Sequence, residues 1–144
     1  MITQHKKLSS TVIISVYKDD VALNIILKSL LSQTVENFEV IVSEDGQSDA
    51  IKRCVDHFKS TDLFLLHLTQ DDQGFRKNIA LNRAITASNT DHLIFIDGDC
   101  APHHAFVEAH QSCSHRGITC TGRRLELGKS ISEKLRTGQI NLGY

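Results

Sequence analysis

Two aspartates one residue apart, Asp97 and Asp99, flank Gly98 directly after an apolar run, His92-Leu93-Ile94-Phe95-Ile96. Carboxylates so placed offer hard oxygen donors to a divalent cation and, through it, to a diphosphate. Gly98 lets the backbone turn and a ligand approach closely. Cys100 follows, and Pro102 stops any extension of the run. The same residues also suit a solvated acidic turn, and the D-x-D spacing alone does not separate the two readings.

Polar residues follow two other apolar runs in the same way: Tyr17-Lys18-Asp19 after the first, and Glu44-Asp45 after the second. A carboxylate in the second position can accept hydrogen bonds from a base or a ribose. Asp45 taken by itself could equally cap a helix. Arg76 opens a helical pattern, where its planar fork and the helix N-terminus both favour a phosphate. Together these residues have the chemistry of a nucleoside-diphosphate site.

The elements that must position them alternate. Thr11 to Tyr17, Phe38 to Ser43, Leu63 to Leu68 and the run ending at Asp97 read as strands rich in β-branched and apolar residues. Between them, helices are expected from Asp19-Asp20 to near Gln33, from about Ala50 to Phe58, and from Arg76 to Ala87. The first should bury Val21, Ile25, Leu27, Leu30 and Leu31, and the third Ile79, Ala80, Arg83 and Ala84. Strand–helix alternation with long crossovers predicts an α/β fold with a mainly parallel sheet, each strand covered on both faces and the Asp97 strand central. The carboxyl ends of such strands are where ligands bind. Beyond Pro102 the pattern predicts helices over His103–Cys113 and Ser130–Thr137 and a strand over Ile118–Leu125.

The chain has 144 residues, enough for one domain with a core. Its net charge of −1, with no basic run, excludes a nucleic-acid footprint. No apolar stretch approaches the ~20 residues of a membrane span, and Met1 to Ser10 carries no secretion signal. Cys54, Cys100, Cys113 and Cys120 form no C-x-x-C pair and suit reduced thiols in a cytosol. His103, His104, His110 and His115 gather near Cys113, but without a recognised zinc spacing. Cys100 reads as a semi-buried thiol rather than a nucleophile, since no partner base is evident. The glycine signatures of dinucleotide-binding and P-loop proteins are absent, as is G-x-S-x-G.

Four stretches, ISVYKDDVALNIILKSLLSQT, FEVIVSEDGQSD, GFRKNIALNRAI and HLIFIDGDCAPH, occur in this order. Together they resemble the amino-terminal half of a family 2 glycosyltransferase with the GT-A fold, over roughly residues 11 to 110, leaving 111–144 weakly assigned. The resemblance implies a three-layer α/β/α domain and a nucleotide-sugar donor, usually a UDP-sugar. It further implies Mn²⁺ or Mg²⁺ and inverting transfer to a saccharide or cell-surface polysaccharide acceptor. By position, Asp99 would bind the metal and Asp97 would sit near ribose and metal, with Gly98 between them. Asp45 would meet the base with Glu44 beside it, and Val16 and Tyr17 would line the base pocket. Arg76, Asn82 and Arg83 match the basic and polar positions of the stretch that follows.

Two departures stand out. Lys18 replaces the asparagine common after the first-strand aromatic. No E-D motif follows Asp99, because Glu108, Glu126 and Glu133 are isolated. The chain is therefore expected to be a truncated donor-binding half, with the catalytic base beyond its end. Two other readings remain: a non-catalytic nucleotide-sugar-binding module, and a haloacid-dehalogenase-type phosphatase, whose D-x-D usually lies on the first strand. The expected location is the cytoplasm, with the full protein peripheral to the inner face of the membrane.

A sheet cut short leaves an open edge and apolar surface, so the chain is expected to form homo-oligomers. Light scattering should give a mass above 16.1 kDa that rises with concentration. A clean monomer at high concentration counts against this expectation.

Overall fold

A computed structural model describes residues 7–143. Residues 1–6 and 144 lie outside it, so the reading of the amino end falls largely outside the described residues. Four strands alternate with helices: β1 (Ser10–Val16), α1 (Asp20–Leu31), β2 (Phe38–Glu44), α2 (Asp49–Phe58), β3 (Phe64–Leu68), α3 (Lys77–Ala87) and β4 (Leu93–Asp97). Two short helices follow, α4 (Phe106–Ser112) and α5 (Lys129–Arg136). All neighbouring strands run parallel, in the order β3-β2-β1-β4.

Helices cover both faces, which gives the three α/β/α layers. On one face Val12, Ile14 and Val16 of β1 and Val40 and Val42 of β2 meet Leu23, Ile26, Leu27 and Leu30 of α1. Ile51, Val55 and Phe58 of α2 and Val107 of α4 complete that core. The other face carries a smaller cluster in which Ile13 and Ile41 meet α3 through Ala84, with Leu81 and Ala87 beside it. Small residues on α3 let the helix lie close to the sheet.

Several expectations change. Among the described residues β4 lies at the edge of the sheet rather than at its centre, and Phe95 is 51% exposed. α3 covers the middle of its face only, so Phe64 and Leu66 of β3 are also exposed. Two-sided burial therefore holds for β1 and β2 but not for β3 and β4. The stripe of α1 is Ala22, Leu23, Ile26, Leu27 and Leu30, while Val21 and Leu31 face outward. α3 packs through Ala80 and Ala84, with Ile79 and Arg83 outward. Residues 118–125 form no strand and are exposed throughout. β-Branched residues there have no neighbouring strand to pair with, and a strand without a partner is not stable.

Glu39 ties the sheet to the turn that launches β4. It is 2% exposed. Its Oε1 accepts hydrogen bonds from Thr11 Oγ1 at 2.6 Å and from the Asn89 backbone N–H at 2.6 Å, and its Oε2 from Asn89 Nδ2 at 2.8 Å. The charge is tolerated at depth because both oxygens have donors. Glu39→Ala leaves these donors unpaired and should cost about 2–3 kcal/mol. Urea unfolding should show a lower midpoint at unchanged slope, and an unshifted midpoint would contradict this role.

Candidate functional site

The parallel register places Ser15 opposite both Ser43 and Asp97, so β1, β2 and β4 end level. Gly98 is what lets β4 leave the sheet here. A Cβ at this position would lie 2.6 Å from the Ser15 carbonyl oxygen and 3.3 Å from Val16 Cα. Asp97 and Asp99 emerge exposed, with Cys100 half-buried beside them, and one ligand atom from each falls within 4.8 Å of the others. Two carboxylates suit Mg²⁺ or Mn²⁺, and a thiol adds a softer third donor. Cys100 Sγ–H donates to Asp99 Oδ1 at 3.3 Å. Burial, then that bond, push its pKa upward, against a lowering by Arg124. The Arg124 guanidinium lies against Cys100, with Asp99 close by.

The other carboxylates at this edge are buried. Glu44 is 1% exposed, and its oxygens take the Ser48 backbone N–H at 2.6 Å and face His67 Nε2 at 2.8 Å. It thereby holds the start of α2, which Ser48 caps. Asp45 is 5% exposed and accepts from Gln70 Nε2 at 2.6 Å and from the Arg76 backbone N–H at 2.7 Å. Asp45 thus does not cap the helix that follows it, which Ser48 caps; it instead holds the backbone N–H of Arg76, the residue at the entry to α3.

Val16 is buried and Tyr17 is 52% exposed. Lys18 has φ of 52°, a left-handed conformation uncommon outside glycine. Its Nζ pairs with Asp72 at 2.7 Å and lies 4.7 Å from the Tyr17 ring centroid. This pairing, a hydrogen bond first of all, raises the Lys18 pKa and lowers that of Asp72. The loop before α3 is thus strapped to the end of β1. Arg76 Nη2 donates to the Asp71 carbonyl at 2.6 Å, while its Nε is buried without a partner. Lys77, the first residue of α3, forms an ion pair with Asp97.

The structure therefore brings together Val16, Tyr17, Glu44, Asp45, Arg76, Asp97, Gly98 and Asp99. Asn82 is apart from them. It lies five residues into α3, with Ile79, Arg83, Thr86 and Ala87 around a shallow hollow on that helix. Arg83 Nη1 donates to the Thr69 carbonyl at 2.7 Å and so supports the loop from below. Among the described residues, the metal-type ligand atoms that cluster are those of Asp97, Asp99 and Cys100, not the histidines near Cys113. Sequence reasoning gave no role to Lys77 or Asp72. Their only signal was their place beside Arg76 and in the preceding polar loop.

Residues 11–113 match the profile described as Glycosyl transferase family 2. Glycosyltransferase AglE of Haloferax volcanii is 32% identical over 119 residues, which are 81% of this chain and 39% of AglE. The fold is similar to that of S. aureus TarS 1-349 in complex with UDP-GlcNAc, with a TM-score of 0.61 at 21% identity over 73% of this chain and 30% of that one. It is similar also to the mannosyltransferase PcManGT from Pyrobaculum calidifontis in complex with GDP-Man and Mn²⁺, with a TM-score of 0.60 at 20% identity over 68% of this chain and 30% of that one. The sheet and its helices are accordingly those of the GT-A fold, and the chain spans 39% of the length of AglE.

Gly98→Ala forces β4 away from the Ser15 carbonyl and should cost about 1–3 kcal/mol. Gly46→Ala is the control, because a Cβ there meets nothing closer than 3.8 Å. Thermal unfolding should fall for the first variant only, and equal melting temperatures would overturn the close-approach argument.

Proposed function

The chain belongs to glycosyl transferase family 2, and from that premise we propose that it forms the donor-binding side of a nucleotide-sugar-dependent glycosyltransferase. The observation that supports this reading most is the meeting of Asp97 and Asp99 at the edge where three parallel strands end. A UDP-sugar is the proposed donor, as UDP-GlcNAc is the molecule in the TarS complex. The base would lie against the exposed Tyr17 ring and over Val16, near the orphaned Arg76 Nε. Asp45 would act from beneath, holding the Arg76 backbone so that the α3 N-terminus faces the phosphates. Glu44 would keep the second strand end rigid through Ser48 and His67.

Asp99 and Asp97 would hold a divalent cation, for which their hard oxygens are suited. When bound, Mn²⁺ or Mg²⁺ would neutralise charge on the leaving nucleoside diphosphate. The Cys100 thiol borders the same space as a softer donor. A saccharide acceptor, inverting displacement and a catalytic base outside the matched stretch complete the proposal. No helix of the described residues is long and apolar enough to cross a membrane. We place the whole protein in the cytoplasm, peripheral to the membrane, where a polysaccharide acceptor would be met.

Calorimetric titration with UDP, with and without Mn²⁺, tests the reading. Binding should need the metal, and Asp99→Ala should weaken it at least about tenfold, some 1.4 kcal/mol. UDP binding that ignores both the metal and the substitution would overturn it.

A further inference from the structure

We propose that Lys77 is an exchangeable counter-ion of the acidic pair: it holds Asp97 when no divalent cation is bound, gives it up to the cation, and passes to the donor diphosphate. The inference rests on the donor-site reading and adds a second state to it. Lys77 Nζ pairs with Asp97 Oδ1, with the two side chains 33% and 52% exposed. Asp97 is at the same time one of three residues whose ligand atoms lie within 4.8 Å. An ammonium and a divalent cation on one carboxylate repel each other, so the two must compete for it. Lys77 offsets one of the pair's two negative charges toward an incoming cation.

Two other cations nearby are committed elsewhere: Lys18 is held by Asp72 and Arg76 by the Asp71 carbonyl. Arg124 stands at the site itself, against Cys100 with Asp99 close by. Lys77 is the one lysine or arginine that forms an ion pair with Asp97 or Asp99 among the described residues. Its backbone is fixed at the first residue of α3, the neighbouring Arg76 N–H being anchored on Asp45. Its head is a compact ammonium on a flexible four-carbon stem. It can therefore leave Asp97 without leaving the site. The place it reaches is the helix N-terminus, where a diphosphate is favoured.

The test compares the 144-residue wild-type chain with Lys77→Met, Lys77→Gln, Lys77→Arg and Asp99→Ala. Electron paramagnetic resonance of free Mn²⁺ measures cation binding without nucleotide, and calorimetry measures UDP binding at saturating Mn²⁺. Circular dichroism confirms the fold of each variant, and the Met and Gln variants carry the same expectation should one fail to fold. Both should bind Mn²⁺ alone about tenfold more tightly than wild type and UDP about tenfold more weakly. Lys77→Arg should stay within about threefold of wild type in both measurements, since it restores the charge. Raising the salt concentration should narrow the Mn²⁺ difference. A purely structural lysine would not move the two affinities in opposite directions. Mn²⁺ affinity that is unchanged or weaker without Lys77, or UDP binding that is unchanged, overturns the exchange and leaves the donor site standing. Absence of Mn²⁺ binding in wild type and every variant overturns the donor-site reading itself, and the exchange with it.

Discussion

The site depends on the level ending of three parallel strands. Ser15 faces Ser43 on one side and Asp97 on the other, and Gly98 lies so close that a Cβ there would fall 2.6 Å from the Ser15 carbonyl oxygen. A parallel ladder admits only one side-chain parity for a given buried face. A slip of one residue would send Val12, Ile14 and Val16 out of their core and carry Asp97 to the opposite face. Burial of that core, contributed mostly by α1 and α2, thus fixes where the carboxylates emerge.

Carboxylates on and beside the sheet fall into two classes by burial. Glu39, Glu44 and Asp45 are almost inaccessible, and each has protein donors on both oxygens. A buried charge without such donors would be costly, so these three are structural anchors; Glu44 and Asp45 also neighbour the site, whereas Glu39 lies at the opposite end of β2. They tie β2 to β1, to α2 and to the entry of α3. Asp97 and Asp99 are exposed, and their partners are flexible cations and a thiol. Two rigid charges, Glu44 and Asp45, thus stand at the same strand ends as a pair of exchangeable ones, as a binding site on a stiff frame requires.

Much of the frame was legible in the chain itself. β1 and β2 are dense in valine and isoleucine, and Ser48 and Asp19 cap the helices that follow them. The register of faces was less legible. α1 is apolar nearly all round, so its pattern pointed to Val21 and Leu31 as readily as to Leu23 and Ile26, and only contact with the sheet chose between them. On α3, alanines form the buried stripe and isoleucines face outward, which inverts what hydrophobicity alone suggests. Residues 118–125 have strand-like composition without a strand to join.

By itself, then, the sequence determined the alternation of elements, the D-G-D turn, the two other polar strand ends and the family to which they belong. These are local properties: β-branching, caps, glycine and the order of short motifs. Tertiary structure alone decided that Asp45 serves the distant α3 start, that β4 stands at an edge and that Asn82 lies apart from the strand ends. It alone decided that Lys77 reaches Asp97. Each of these is a contact between residues 20 or more positions apart, or a choice among faces of similar polarity. Such outcomes depend on which surfaces the packed layers leave free, and no local pattern carries that information.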